Sequence, residues 1–162
     1  MNQLSMLEQL QGVAVNELSS DPYFDGSISA NGTAVPVITE AKGEITTQVE
    51  TALGSVGICA LVMTPLFQFI DNLVQDLSGY ALLTITVFEN VSLNQQPTGT
   101  QINAIVLAQR ILELLHWFPH KLPTNKAETV PAFIGITRPF ELTNPGPPLQ
   151  YTVNFQAYVL LQ

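Results

Sequence analysis

A chain of 162 residues with 46% hydrophobic side chains, 11% charged ones and a formal charge of −8 falls outside several classes at once. Soluble domains usually carry about 25% charged residues. Disorder needs low hydropathy with high charge density, and phosphate-driven nucleic-acid binding needs a basic stripe that five cations do not make. Mean hydropathy is +0.26, yet the longest unbroken apolar run, Ile58 to Met63, is far short of the about 20 residues of a spanning helix. No membrane partner is expected.

Leu4, Leu7, Leu10, Ala14 and Leu18 recur at spacings of three and four, which predicts an amphipathic first helix ending near Ser19-Ser20-Asp21-Pro22. Asp-Pro, Asp-Gly and Asn-Gly pairs make residues 21–34 a loop. Val35 to Glu40 is a short strand. Gly43 to Leu53 admits a helical turn or two, or a strand because of its threonines. Gly57 to Thr64 is short and almost wholly apolar, as expected of a central strand covered on both faces. Residues 65–79 are ambiguous. Leu66, Ile70, Leu73, Val74 and Leu77 fit a helix, whereas Leu66-Phe67-Gln68-Phe69 would extend the preceding strand into a hairpin arm.

From Tyr80 to Asn90 the pattern alternates, with Ala81, Leu83, Ile85 and Val87 opposite Thr84 and Thr86. Ser92 to Thr100 reads as a loop supplying a threonine cap to a helix over Gln101–Phe118. Asn103, Gln109, Arg110, Glu113 and His116 of that helix share an arc of about 140° at 100° per residue. Ile102, Val106 and Trp117 fall in the same arc, so a second apolar neighbour is expected there. Pro119 and Pro123 end the helix. Ala132–Arg138 and the alternating Leu149–Leu161 are strands, joined by the stiff turn Asn144-Pro145-Gly146-Pro147-Pro148. The whole reads as one α+β domain over 1–162, with helices packed on a mixed, largely antiparallel sheet.

Candidate chemistry is sparse. Glu113-x-x-His116 followed by His120 has a metal-like spacing. Di-iron bundles, however, need two such motifs and further carboxylates, and the chain has two histidines. A polar helix end, where an imidazolium suits the dipole, is the simpler reading. Cys59, the single cysteine, lies in an apolar run and is expected to be a buried thiol. Asp71 and Asp76, five apart, have no special alignment on a helix or strand and read as solvated acids. No nucleophile elbow, phosphate loop or dinucleotide fingerprint is present, so no catalytic, cofactor or metal residue is assigned and no enzyme is expected. The Met1-Asn2-Gln3-Leu4 start has no basic, then apolar, leader. The chain is therefore expected to be soluble and unexported, and the sequons Asn31-Gly32-Thr33 and Asn90-Val91-Ser92 to be chance.

Three segments carry a resemblance. Val87-Phe88-Glu89-Asn90-Val91-Ser92-Leu93-Asn94 closes a strand with an E-N-x-x-x-N pattern, and Thr98-Gly99-Thr100 opens a helix ending in Leu114-Leu115-His116-Trp117. The chain finishes on Tyr151-Thr152-Val153-Asn154-Phe155-Gln156-Ala157-Tyr158-Val159. With Leu61-Val62-Met63-Thr64-Pro65-Leu66-Phe67 before them, these resemble the tail-terminator and tail-completion proteins of tailed bacteriophages over residues 57–160.

The resemblance implies a structural virion protein without catalytic residues, made in the host cytoplasm and placed in the tail or neck. It would form a homohexameric ring that caps the head-proximal end of the tail tube. Its partners would be the tail tube protein and a head–tail connector or head-completion protein. Residues 65–79 would be the family's β-hairpin or loop rather than a helix, with Phe67, Phe69, Ile70, Leu73 and Val74 at a subunit or tube interface.

Residues 1–109 hold ten acids and one base, Lys42, for a net −9, and residues 110–162 a net +1. An acidic lumen would let DNA pass without sequence-specific binding, which makes Asp71, Asp76 and Glu89 candidate lumen acids. A connector or head-completion component, or the cap of a contractile injection system, is the nearest alternative. A small-molecule- or metal-binding α+β domain built around Glu113, His116 and His120 is the alternative of another class.

Overall fold

A computed structural model describes residues 3–40, 43–69, 77–116, 131–137 and 148–161. Helix α1 spans Gln3–Ser19, and its Leu7, Leu10, Ala14 and Leu18 are buried, as their spacing predicts. The following loop is shaped by its own side chains. Asp21 accepts from the Tyr23 N–H at 3.0 Å, Asp25 from the Ser27 N–H at 2.7 Å and Asn31 from the Thr33 N–H at 3.0 Å. These are the local bonds that make Asp and Asn turn formers.

Strand β1 is Val37–Thr39, and α2 (Ile45–Ser55) takes the helical alternative for its segment. Ile45, Val49, Ala52 and Leu53 recur at helical spacing and pack on Ile38, Cys59 and Leu61. That apolar stripe outweighs the weak helix propensity of the threonines. Gly57 then turns the chain at φ +88, where a Cβ would lie 2.5 Å from the Asn94 backbone nitrogen, so glycine is required there.

Strand β2 (Ile58–Val62) is buried at every position. It pairs parallel with β1 on one side and antiparallel with β4 (Leu77–Glu89) on the other. Residues 66–69 form the hairpin arm rather than a helix, as β3 (Leu66–Phe69), which pairs with β4 beyond β2. Val62 faces Ile85 and Leu66 faces Leu82, so four steps on one side match three on the other and the bend at 63–65 holds an extra residue.

The bend is secured by backbone and side-chain bonds. The Met63 N–H donates to the Thr84 carbonyl at 3.0 Å, and the Val62 carbonyl accepts from Gln11 Nε2 at 3.0 Å. The Thr64 N–H donates to the Glu40 carboxylate at 2.7 Å. Gln11 is therefore a buried polar residue on the apolar side of α1, placed there to satisfy a carbonyl where the ladder breaks.

The longest ladder joins β4 to β6 (Leu149–Leu161), from Leu77 opposite Leu161 to Glu89 opposite Leu149. Strand β5 (Pro131–Thr137) flanks β6 with a bulge between Phe133 and Gly135. The order is β1-β2-β4-β6-β5, with β3 also on β4. Only β1 and β2 run parallel, so the chain is an α+β domain with a largely antiparallel sheet.

Helices α1 and α4 (Ala104–Leu115) cover one face of the sheet. Their Ala14, Leu18, Leu107, Ala108, Ile111 and Leu115 close on Ile58, Ala60, Val62, Leu83, Ile85, Val87, Val153 and Phe155. α4 starts later than the periodicity predicts. Ile102 precedes the helix and is buried in this core, while Val106 remains 39% exposed on its outer side. Among the described residues, no helix is long and apolar enough to cross a membrane. Trp117, Pro119, Pro123 and the turn residues 144–147 lie outside the described residues.

Candidate interaction surface

The second face of the sheet is covered unequally. α2 packs over β1, β2 and the Phe88 end of β4. The rest of β4, with β3 and β6, presents Leu66, Gln68, Tyr80, Leu82, Thr84, Thr152, Asn154, Gln156 and Tyr158, which register places on this one side. Leu66 is 70% exposed and Tyr158 46% exposed. Thr84 Oγ1 donates to Asn154 Oδ1 at 3.2 Å, the Thr86 and Thr152 hydroxyls bond at 3.1 Å, and the Tyr80 and Tyr158 rings meet edge-on at 6.0 Å. Such cross-strand pairs fix the side chains before any partner arrives. The surface carries no formal charge, because the only charged residue in the six strands is Glu89, which lies elsewhere.

Glu89 closes β4 and is 1% exposed. Oε1 accepts from Asn94 Nδ2 at 2.7 Å and Gln95 Nε2 at 3.3 Å, while Oε2 accepts from the Ala104 N–H at 2.8 Å. The carboxylate thus takes an orphan donor at the N-terminus of α4, where the helix dipole favours an anion.

Asn94, 0% exposed, completes the junction. Its Nδ2 also donates to the Ile102 carbonyl at 2.8 Å, and its Oδ1 accepts from Thr100 N–H at 3.1 Å and Thr100 Oγ1 at 2.7 Å. Asn90 caps the short helix α3 (Val91–Asn94), its Oδ1 accepting from the Leu93 N–H at 3.4 Å. The E-N-x-x-x-N pattern is therefore the sequence of a welded strand–helix corner. Two expectations are corrected here. Thr100 binds Asn94 and does not cap α4, and Glu89 faces no lumen because its oxygens are consumed inside the subunit.

The remaining predicted residues divide among three settings. Phe67 is half-buried against Leu7, Leu10, Ala81 and Ala157 under α1, because register puts it opposite Ala81 on the helix-covered side. Its buried part packs under α1. Phe69 ends β3, while Ile70, Asp71, Leu73, Val74, Asp76 and His120 lie outside the described residues. Glu113 and His116 sit in the last turn and C-cap of α4. Glu113 accepts from Gln109 Nε2 at 3.2 Å and from Arg110 at 3.0 Å. Among the described residues, no three His, Cys, Asp or Glu side chains group as metal ligands.

Arg110 forms a clamp that sequence reading passed over. It reaches Asp21 through Nη2 at 2.6 Å and Nε at 3.0 Å, and lies 5.4 Å from the Tyr23 ring centroid. The bonds to Asp21, then Glu113, raise its pKa. The Asp21 side chain is 3% exposed against 30% for Arg110. Arg110→Ala would strand a buried carboxylate that still accepts from the Tyr23 N–H. A loss of about 2 kcal/mol is expected in urea unfolding, with partial recovery in Arg110→Lys.

Cys59 is buried beneath α2, and burial pushes its thiol up to about 12. The folded protein is expected to resist thiol reagents at pH 8 and to react fully once unfolded. The raised pKa also sets a sign. Above the ordinary value of 9.0 the unfolded chain gives up a proton that the folded one keeps. Stability should therefore fall between pH 9 and 12, with a shallower slope in Cys59→Ala.

No protein-family model matches the chain, and no curated protein is significantly similar to it.

Proposed function

We propose that the chain is a ring-forming structural subunit of the phage tail-terminator kind, capping a tail tube and joining it to a head connector. The observation that carries this reading is the uncharged, pre-ordered surface of β3, β4 and β6, with Leu66 and Tyr158 exposed on a chain of charge −8. Copies that repel at long range can associate where their contacting surfaces bring no charge out of water. Exposed Ile105 and Val106 on α4 and Val91 on α3 add apolar area at the opposite end of β4, which supports two different contact sites, as a heterologous ring requires.

The ring reading includes a tail tube protein below, a connector above, and DNA passing without sequence recognition. Of the three candidate lumen acids, Asp71 and Asp76 remain part of this proposal. Polymerisation of the cognate tail tube protein tests it. Added protein should limit tube length and decorate one tube end in negative-stain images. Tubes that lengthen unchanged and carry no end density would refute it.

A further inference from the structure

We propose that Asn31 is a modification site of the folded chain, deamidated through the Gly32 backbone nitrogen, and that the change unfastens the loop at 21–34 from residues 97–100. Asn31 is the only asparagine in the chain followed by glycine. Both residues are exposed, and nothing lies within 4 Å of where a Cβ would stand at Gly32. A side chain there is the ordinary steric barrier between an asparagine carboxamide and the next backbone nitrogen, and glycine removes it.

Three hydrogen bonds are set in the sense that ring closure needs. Asn31 Oδ1 accepts from the Thr33 N–H at 3.0 Å, an Asx turn that folds the carboxamide back along the Gly32 peptide. The same bond puts a fixed donor on the oxygen where negative charge develops when Cγ is attacked. The Gly32 N–H donates to the Ser29 carbonyl at 3.2 Å, which draws on the proton that solvent base must remove from the nucleophile. Asn31 Nδ2, the leaving nitrogen, donates to the Pro97 carbonyl at 3.0 Å.

The step balances with water as its one co-reactant. The Gly32 nitrogen bonds to Asn31 Cγ, the Cγ–Nδ2 bond breaks, and the proton lost by Gly32 leaves with the amide nitrogen as ammonia. Water then opens the cyclic imide at either carbonyl, giving aspartate or isoaspartate at position 31. The Asp25-Gly26 pair of the same loop supplies a contrast. Gly26 is buried against the Gly32 carbonyl. Bonds from the Ser27 side chain and backbone hold the Asp25 carboxyl below its usual range, and an ionised carboxylate is a poor electrophile.

Conversion takes away a donor and supplies an acceptor. An oxygen in place of Asn31 Nδ2 faces the Pro97 carbonyl, acceptor against acceptor. That bond lies beside the one from the Ala30 N–H to the Thr100 carbonyl at 3.4 Å, and the two together tie the loop to residues 97–100.

The test incubates the full folded chain at pH 8 and follows it by timed digestion and peptide mass mapping. Asn31 is expected to convert at least tenfold faster than any other asparagine, with separate aspartate and isoaspartate products and with Asp25 unchanged. Conversion in native buffer should equal or exceed that in urea, because the turn assists it. Gly32→Ala should slow it at least tenfold, with circular dichroism confirming that the fold is retained. Conversion confined to the urea-unfolded chain would overturn the proposal, since the loop would then shield Asn31. Aspartate as the sole product would overturn the route through the Gly32 nitrogen. Hydrogen exchange reads the release of the loop. Asn31→Asp should speed exchange of the Ala30 amide at least tenfold over the parent, and equal protection would overturn that part of the proposal.

Discussion

Glu89→Ala is expected to lower the free energy of unfolding by about 3 kcal/mol or more, among the largest losses available to one substitution in this chain. The alanine leaves the Ala104 N–H without its acceptor at the start of α4, removes one of the two bonds made by Asn94 Nδ2, and opens a space where a side chain 1% exposed had been. Glu89→Gln separates charge and acceptor capacity from volume. A glutamine amide must point its NH₂ either at the Ala104 N–H or at Asn94 Nδ2, donor against donor, so about 1–3 kcal/mol should still be lost. Asn94→Asp approaches the same corner from the other side by placing a second carboxylate against Glu89. Two carboxylates would then crowd one buried corner, so this variant too should be destabilised. Urea unfolding followed by circular dichroism measures all three. A Glu89→Gln protein as stable as the parent would mean that the corner is held by packing alone.

Leu66→Glu is expected to leave the fold unchanged and to weaken self-association by about a hundredfold or more. Leu66 is 70% exposed, so the substitution costs little in the monomer. Burial in a contact between copies is different. A carboxylate brought against an uncharged surface leaves water without a partner, and truncations or charges at the centre of such a contact commonly cost several kcal/mol. Glu8→Gln on the exposed side of α1 is the surface control. It changes one charge away from the β3, β4 and β6 surface and should alter association little. Sedimentation velocity across a concentration series reads the difference. Equal association by Leu66→Glu and the parent would remove β3 from the contact.

Regular elements were legible where periodicity alone decides them. The stripe Leu7, Leu10, Ala14, Leu18 is buried, as are Ala81, Leu83, Ile85 and Val87 of β4 and Val153, Phe155 and Ala157 of β6, because burial on one side of a helix or strand is what writes those periods. The ambiguity at 65–79 was real at the level of the sequence. Leu66, Phe67 and Phe69 satisfy either period over so short a run, and pairing with Leu82, Ala81 and Gly79, ten to sixteen residues away in sequence, settles it for 66–69.

What escaped sequence reading was long-range polar matching. Nothing local says that Glu89 caps a helix fifteen residues onward, that Arg110 seeks Asp21, or that Gln11 satisfies the Val62 carbonyl. The late start of α4 follows from the same cause, since Asn94 takes the Ile102 carbonyl and Thr100 hydroxyl out of the helix. A signal for Glu89 did exist. A lone acid at the end of an otherwise uncharged strand, followed by two asparagines, is a costly choice unless donors await it.

Native mass spectrometry of the purified protein from low to high micromolar concentration tests the central claim, that the chain is a ring subunit, most directly. The account predicts a closed homo-oligomer, with six copies as the expected stoichiometry, that Leu66→Glu dissociates to folded monomer. A parent protein that is monomeric throughout, and stays so in the presence of tail tubes, would contradict it.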